Sequence, residues 1–185
     1  MDEKKELFET FVSGEQVYRG KLLDVRRDEI KLPDGKPSAR EYIRHVGAVC
    51  IVAVTEGGEV VVERQFRYPV GEVMTEIPAG KLDGREEDRL SAAKRELREE
   101  TGYTAGEWTF IGDYYPTPAY SDERISMYLA RRLIRGDRNL DEDEFLNVET
   151  VPLETLLREI TDGKITDGKT QAAVLKAARI LDTGK

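Results

Sequence analysis

Apolar and polar residues alternate over residues 8–32, and the spacing predicts short strands at 8–12, 16–25 and 29–32. Pro33, Asp34, Gly35 and Lys36 form a hairpin signal, so residues 40–45 are expected to return as a partner strand. Residues 46–54 then run apolar without alternation, the mark of a strand buried on both faces. Gly57 and Gly58 turn the chain into a strand over 59–68 that ends in a basic-aromatic patch. The period changes at 88–101, where Leu90, Ala93 and Leu97 make one helical stripe and Gly102 supplies the stop. Strands are expected at 108–115 and 124–130, with a long loop over 116–123 between them, and a last strand at 146–151. Helices at 152–161 and 168–182 close the chain, the second expected to bury Ala172, Leu175, Ala178, Ile180 and Leu181.

Central strands, a helix after a loop and terminal helices predict an α+β chain, an α/β/α sandwich with a mixed sheet. A small antiparallel β unit over residues 1–45 precedes the main body at 46–185. The edges of that first unit are unpaired in a single chain, which points to packing on, or swapping with, a second copy.

The charge balance narrows the function. With a net charge of −8, the chain lacks the basic excess that nucleic-acid or membrane-surface binding requires. Cys50 is the one cysteine, lies in the apolar run 46–54 and has no internal disulfide partner, as suits a reducing cytoplasm. No apolar run approaches the length of a membrane span, and the acidic start of the chain does not read as a signal peptide.

One stretch carries candidate chemistry. On a helix over 88–101, Glu96, Glu99 and Glu100 share an arc of roughly 100°. Like charges at this spacing repel by a few tenths of a kcal/mol per pair. A hard divalent cation bound by carboxylate oxygens relieves that repulsion. A solvated acidic face is the plain alternative. The buried stripe beside the arc, the stop at Gly102 and the tight segment Ile77, Pro78, Ala79, Gly80 favour a site, because the segment brings backbone carbonyls toward the carboxylates.

These residues resemble the Nudix box, G-x5-E-x7-R-E-U-x-E-E-x-G-U with U apolar. Gly80 matches its opening, and Arg95, Glu96, Leu97, Glu99, Glu100, Gly102 and Tyr103 match its close without a gap. Counting forward from Gly80 puts the first Glu at Glu86, and counting back from Arg95 puts it at Glu87. A one-residue insertion near Asp83, Gly84 and Arg85 assigns it to Glu87. The resemblance implies a Nudix sandwich. It also implies Mg²⁺ or Mn²⁺, about two or three ions per site, held by Glu96, Glu99, Glu100 and the Ala79 carbonyl. Glu87 and Arg95 would form a supporting ion pair, with Gly80 and Gly102 shaping the loop and helix end.

The flanking residues resemble the ADP-ribose pyrophosphatase branch. Arg64, Gln65, Phe66, Arg67 and Tyr68 look like a segment whose second Arg, here Arg67, contacts the nucleotide. Pro118 lies in a loop similar to that branch's S-P-G-x-S-x-E, with Thr117 and Ala119 as departures. The implied substrate contacts are Arg44, Arg64, Arg67, Glu76, Pro118, Ser121 and Glu123. A Glu in the acidic loop, Glu144 first and Glu142 second, would be the water-activating base beside Glu100. His45 reads as structural. The resemblance also implies a homodimer in which an aromatic such as Phe11 or Tyr18 reaches the partner's nucleotide. The expected activity is hydrolysis of ADP-ribose, or a related nucleoside diphosphate sugar, to AMP and ribose 5-phosphate. The alternatives are another nucleoside diphosphate derivative, a non-catalytic ADP-ribose sensor, or an acidic helix with no ligand.

Overall fold

The structure is a computed structural model that describes residues 5–137 and 145–183. The chain divides into two units, Met1–Val46 with Thr117–Glu123, and Gly47–Pro116 with Arg124–Lys185. In the first, β1 (Thr10–Arg19), β2 (Asp24–Lys31) and β3 (Pro37–Ile43) form an antiparallel sheet in the order β1-β2-β3. The strand expected over 16–25 is broken: the chain reverses where the Gly20 N–H donates to the Leu23 carbonyl at 2.8 Å. The Pro33 to Lys36 turn forms as its sequence demands, with Gly35 at φ 84° and the Lys36 N–H on the Asp34 carboxylate at 3.0 Å. Residues 117–123 join this unit through hydrogen bonds between Ile43 and both Tyr120 and Asp122, at 2.9 and 3.1 Å.

The second unit contains β4 (Ala48–Ala53), β5 (Glu59–Arg67), β6 (Glu72–Glu76), β7 (Ala79–Lys81), α1 (Arg89–Thr101), β8 (Tyr103–Tyr114), β9 (Ile125–Arg135), β10 (Leu146–Pro152), α2 (Leu153–Thr161) and α3 (Gly168–Thr183). A mixed sheet runs β7-β4-β9-β8, with β4 and β9 parallel, and an antiparallel sheet runs β10-β5-β6. The pleat explains the layering. Alternate β4 residues Cys50 and Val52 enter a core with Leu156, Ala173, Val174 and Ala177 of α2 and α3. Val49, Ile51 and Ala53 enter the other core, with Ala92, Ala93 and Leu97 of α1. That arrangement is the expected α/β/α sandwich.

Two further readings of the pattern change. The strands β6 and β7 lie between the strand at 59–68 and the helix at 88–101, where no strand is expected. β6 is five residues long and mostly polar, and β7 is only three residues, so neither shows a period. The buried face of α3 is Thr170, Ala173, Val174, Ala177 and Ala178, while Leu175 and Ile180 are exposed. The small alanines let the helix approach β4 closely, a preference that weighting by side-chain size had hidden. Among the described residues, no helix is long and apolar enough to cross a membrane.

Candidate active site

α1 is set firmly at both ends. The Asp88 carboxylate accepts the Ser91 N–H at 2.8 Å, and Gly102 ends the helix at φ 76° with its N–H on the Arg98 carbonyl at 2.9 Å. Glu96 and Glu100 lie one turn apart and are both buried, whereas Glu99 is half-buried. The acidic arc therefore lies partly inside the buried surface, where the sequence placed it merely beside the apolar stripe. The Glu100 carboxylate accepts the Ala79 N–H at 3.1 Å. Glu96 lies against Gly80 so closely that a Cβ there would be 2.0 Å from its Cδ. The Glu96 carboxylate can lie against the loop there because residue 80 has no side chain.

Arg95 ties the acids together. Its Nη1 donates to Glu96 Oε1 at 2.8 Å and to Glu99 Oε2 at 3.2 Å, and its Nε donates to Glu87 Oε1 at 3.4 Å. Partial burial works against its charge, but the charge of Glu96 and the bond to Glu99 prevail and raise its pKa. Glu87 also accepts the Asp83 N–H at 2.7 Å, while Glu86 is exposed.

A second charged group is built from β5, β6 and the first turn of α3. Arg67 meets Glu76 with both fork nitrogens, at 2.7 and 2.8 Å. Lys169 bonds to Glu76 and lies 3.1 Å from Asp167. Burial alone would raise the pKa of Glu76, but the bonds and charges of Arg67 and Lys169 bring it down to about 2. The bond to Glu76 raises the pKa of Arg67, with the charges of Asp167 and Glu100 adding to the shift. The influence of Glu100 links this group to the acidic face of α1. Sequence reasoning singled out Arg67 and Glu76 and missed Lys169, Asp167 and Thr170. The available signal was a capping pattern: Asp167 accepts the Thr170 N–H at 2.9 Å and places Lys169 in the opening turn of an apolar helix.

The other candidates disperse. Arg64 is three residues from Arg67, so the strand pleat sends it to the opposite face, where Glu149 holds it at 2.8 Å. Arg44, Pro118, Ser121 and Glu123 belong to the first unit. There the Ser121 hydroxyl accepts the Glu123 N–H at 3.1 Å, and His45 lies 3.8 Å from the Glu123 carboxylate. Phe11 and Tyr18 are exposed on β1. Glu142 and Glu144 lie outside the described residues.

Among the described residues, no three His, Cys, Asp or Glu side chains converge as a ready cation site, and Arg95 bridges Glu96 and Glu99 instead. The donor set nevertheless fits a hard divalent ion. It consists of carboxylate oxygens on one helix face against a loop with a cradle at Gly80, and Arg95 bonds to Glu96 and Glu99 of that face.

The NUDIX domain family matches residues 43–172, and the nucleoside diphosphate sugar hydrolase N-terminal domain matches residues 9–43. An ADP-ribose pyrophosphatase of Bacillus subtilis is 42% identical over 172 residues, 92% of each chain. A methanol dehydrogenase activator of Bacillus methanolicus is 37% identical over 90% of each chain. An ADP-ribose pyrophosphatase of Mycobacterium tuberculosis is 34% identical over 96% of this chain and 86% of its own. The crystal structure of an ADP compounds hydrolase shares the fold, with a TM-score of 0.85 at 23% identity, covering 96% of this chain and 97% of its own.

Proposed function

The chain belongs to the Nudix family, whose hydrolases generally need divalent metal ions, and from that premise we propose that it hydrolyses ADP-ribose to AMP and ribose 5-phosphate. The observation that carries this reading is the seating of Glu96 against Gly80 and of Glu100 against Ala79, which holds two carboxylates on one buried helix face. Glu96, Glu99, Glu100 and the Ala79 carbonyl would hold Mg²⁺ or Mn²⁺, about two or three ions per site. Such ions, when bound, neutralise phosphate oxygens and make bound water a stronger acid. The residues do the rest. Arg95 keeps the carboxylates together, and Arg67 offers its remaining N–H donors to the nucleotide diphosphate. Glu144, or Glu142, takes the proton of the attacking water as a new P–O bond forms and the bridging P–O bond breaks.

We also assign a homodimer. β1 is a sheet edge exposed along its whole length and carries Phe11, Val12, Val17 and Tyr18, a face that a second copy would cover. Light scattering should give twice the chain mass. The single, buried, unbridged Cys50 suits a cytoplasmic setting.

The test is a substrate panel with Mg²⁺. ADP-ribose should be turned over faster than GDP-mannose or a nucleoside triphosphate, and Glu100→Gln should lower the rate by at least about 100-fold with the fold intact. Faster cleavage of GDP-mannose would reassign the substrate. Full activity in Glu100→Gln would remove the metal role. Retention of all three helix carboxylates disfavours a non-catalytic sensor, which would bind ADP-ribose in calorimetry without consuming it.

A further inference from the structure

The chemistry above gives no role to Lys169, a cation largely shielded from solvent. The Lys169 side chain is 13% exposed and touches both Glu76 and Asp167. A buried ammonium is costly unless paired. Burial pulls its pKa down, and the two carboxylates outweigh that and raise it, so the amine stays charged. Anchoring α3 does not require this charge. The neighbouring Thr170 hydroxyl already accepts the Ile77 N–H at 3.0 Å and fixes the helix start to the chain just after β6.

What Lys169 does control is the Glu76 carboxylate. It bonds to Oε2, the same oxygen that takes Arg67 Nη2 at 2.8 Å, while Oε1 takes Arg67 Nε at 2.7 Å. Glu76 is thus clamped from two sides, and the Arg67 guanidinium is clamped in turn through its Nε–Nη2 edge. A guanidinium carries five N–H donors, so the Nη1 side remains for another acceptor. Arg67 is 42% exposed, so its remaining donors reach solvent, and the charge of Glu100 on α1 also acts on it.

We propose that Lys169 is a positioning residue for substrate binding: by clamping Glu76 it holds Arg67 in the one orientation that presents its free N–H donors to the substrate diphosphate beside α1. The proposal rests on the nucleotide-hydrolase reading of that face. It assigns Lys169 to binding and leaves the reacting phosphorus to other groups, so its loss acts on KM with little change in kcat.

The experiment compares Lys169→Met, which keeps the stem and removes the charge, with Lys169→Arg, each alone and combined with Arg67→Gln. Steady-state kinetics use ADP-ribose, or whichever nucleoside diphosphate sugar the wild type cleaves best, at saturating Mg²⁺. Lys169→Met should raise KM about tenfold with kcat within about threefold, and Lys169→Arg should recover most of the loss. In the Arg67→Gln background, Lys169→Met should add little, because both act through one contact. An unchanged KM, an equal loss in both backgrounds, or a fall in kcat alone would overturn the proposal. Should Lys169→Met not fold, Glu76→Gln/Lys169→Met removes the buried charges together. Read against wild type, it should show the same rise in KM with kcat little changed, and a wild-type KM would overturn the proposal. A wild-type protein that cleaves no nucleoside diphosphate sugar overturns the reading of the site and this proposal together. Normal cleavage with KM indifferent to Lys169 overturns this proposal alone.

Discussion

Adding one methyl group at Gly80 tests the geometry of the acidic face directly. In Gly80→Ala the new Cβ would fall 2.0 Å from Glu96 Cδ and 2.2 Å from each carboxylate oxygen. Ordinary carbon contacts lie at about 3.5–4.0 Å, so the carboxylate must retreat by roughly 1.5–2 Å. Retreat breaks the 2.8 Å bond from Arg95 and disturbs a buried side chain. Overpacking of this kind costs about 1–3 kcal/mol, which for a chain of this length lowers Tm by roughly 3–10 °C. Activity should suffer more, because misplacing a catalytic group by about 1 Å can cost about 100-fold in rate. Gly84→Ala is the control, since a Cβ there meets nothing within 4 Å. Thermal unfolding and ADP-ribose turnover are measured on both. Adding Glu96→Asp to Gly80→Ala, which shortens the displaced side chain by one methylene, should restore part of the stability without the rate. If Gly80→Ala matches Gly84→Ala in both Tm and turnover, the seating of the Glu96 carboxylate against Gly80 is wrong.

Other outcomes follow from individual contacts. Glu76 has its pKa lowered from 4.5 to about 2, so the stability it contributes is present above pH 4.5 and lost as pH falls through about 2. The stability gap between wild type and Glu76→Gln, measured by urea unfolding, should therefore shrink over that window, and a constant gap would contradict the buried ion pair. Asp88→Ala removes the cap of α1 and should cost about 1 kcal/mol by the same assay. Cys50 is buried, and its thiol is pushed up to about 12, which leaves ~10⁻⁴ thiolate at pH 8. A thiol-specific reagent should therefore label it only when urea unfolds the chain, and labelling of the native protein would place Cys50 at the surface.

The sequence by itself determined whatever depends on neighbours a few positions away. Period and punctuation alone placed the buried strand around Cys50, the helix between Asp88 and Gly102, and the turn at Gly35, because each is fixed by local backbone preference and a one-sided apolar pattern. The spacing of Glu96, Glu99 and Glu100 likewise made a shared acidic face legible, since helical geometry is invariant. Only the tertiary structure decided that Glu96 and Glu100 are buried, that Arg64 and Arg67 part company across the pleat, and that the alanines of α3 face β4. It alone brought Lys169 to Glu76, 93 residues away in the chain. A contact over that distance is set by how α3 packs on the sheet, a sum of many small apolar contacts that leaves no local mark on either residue.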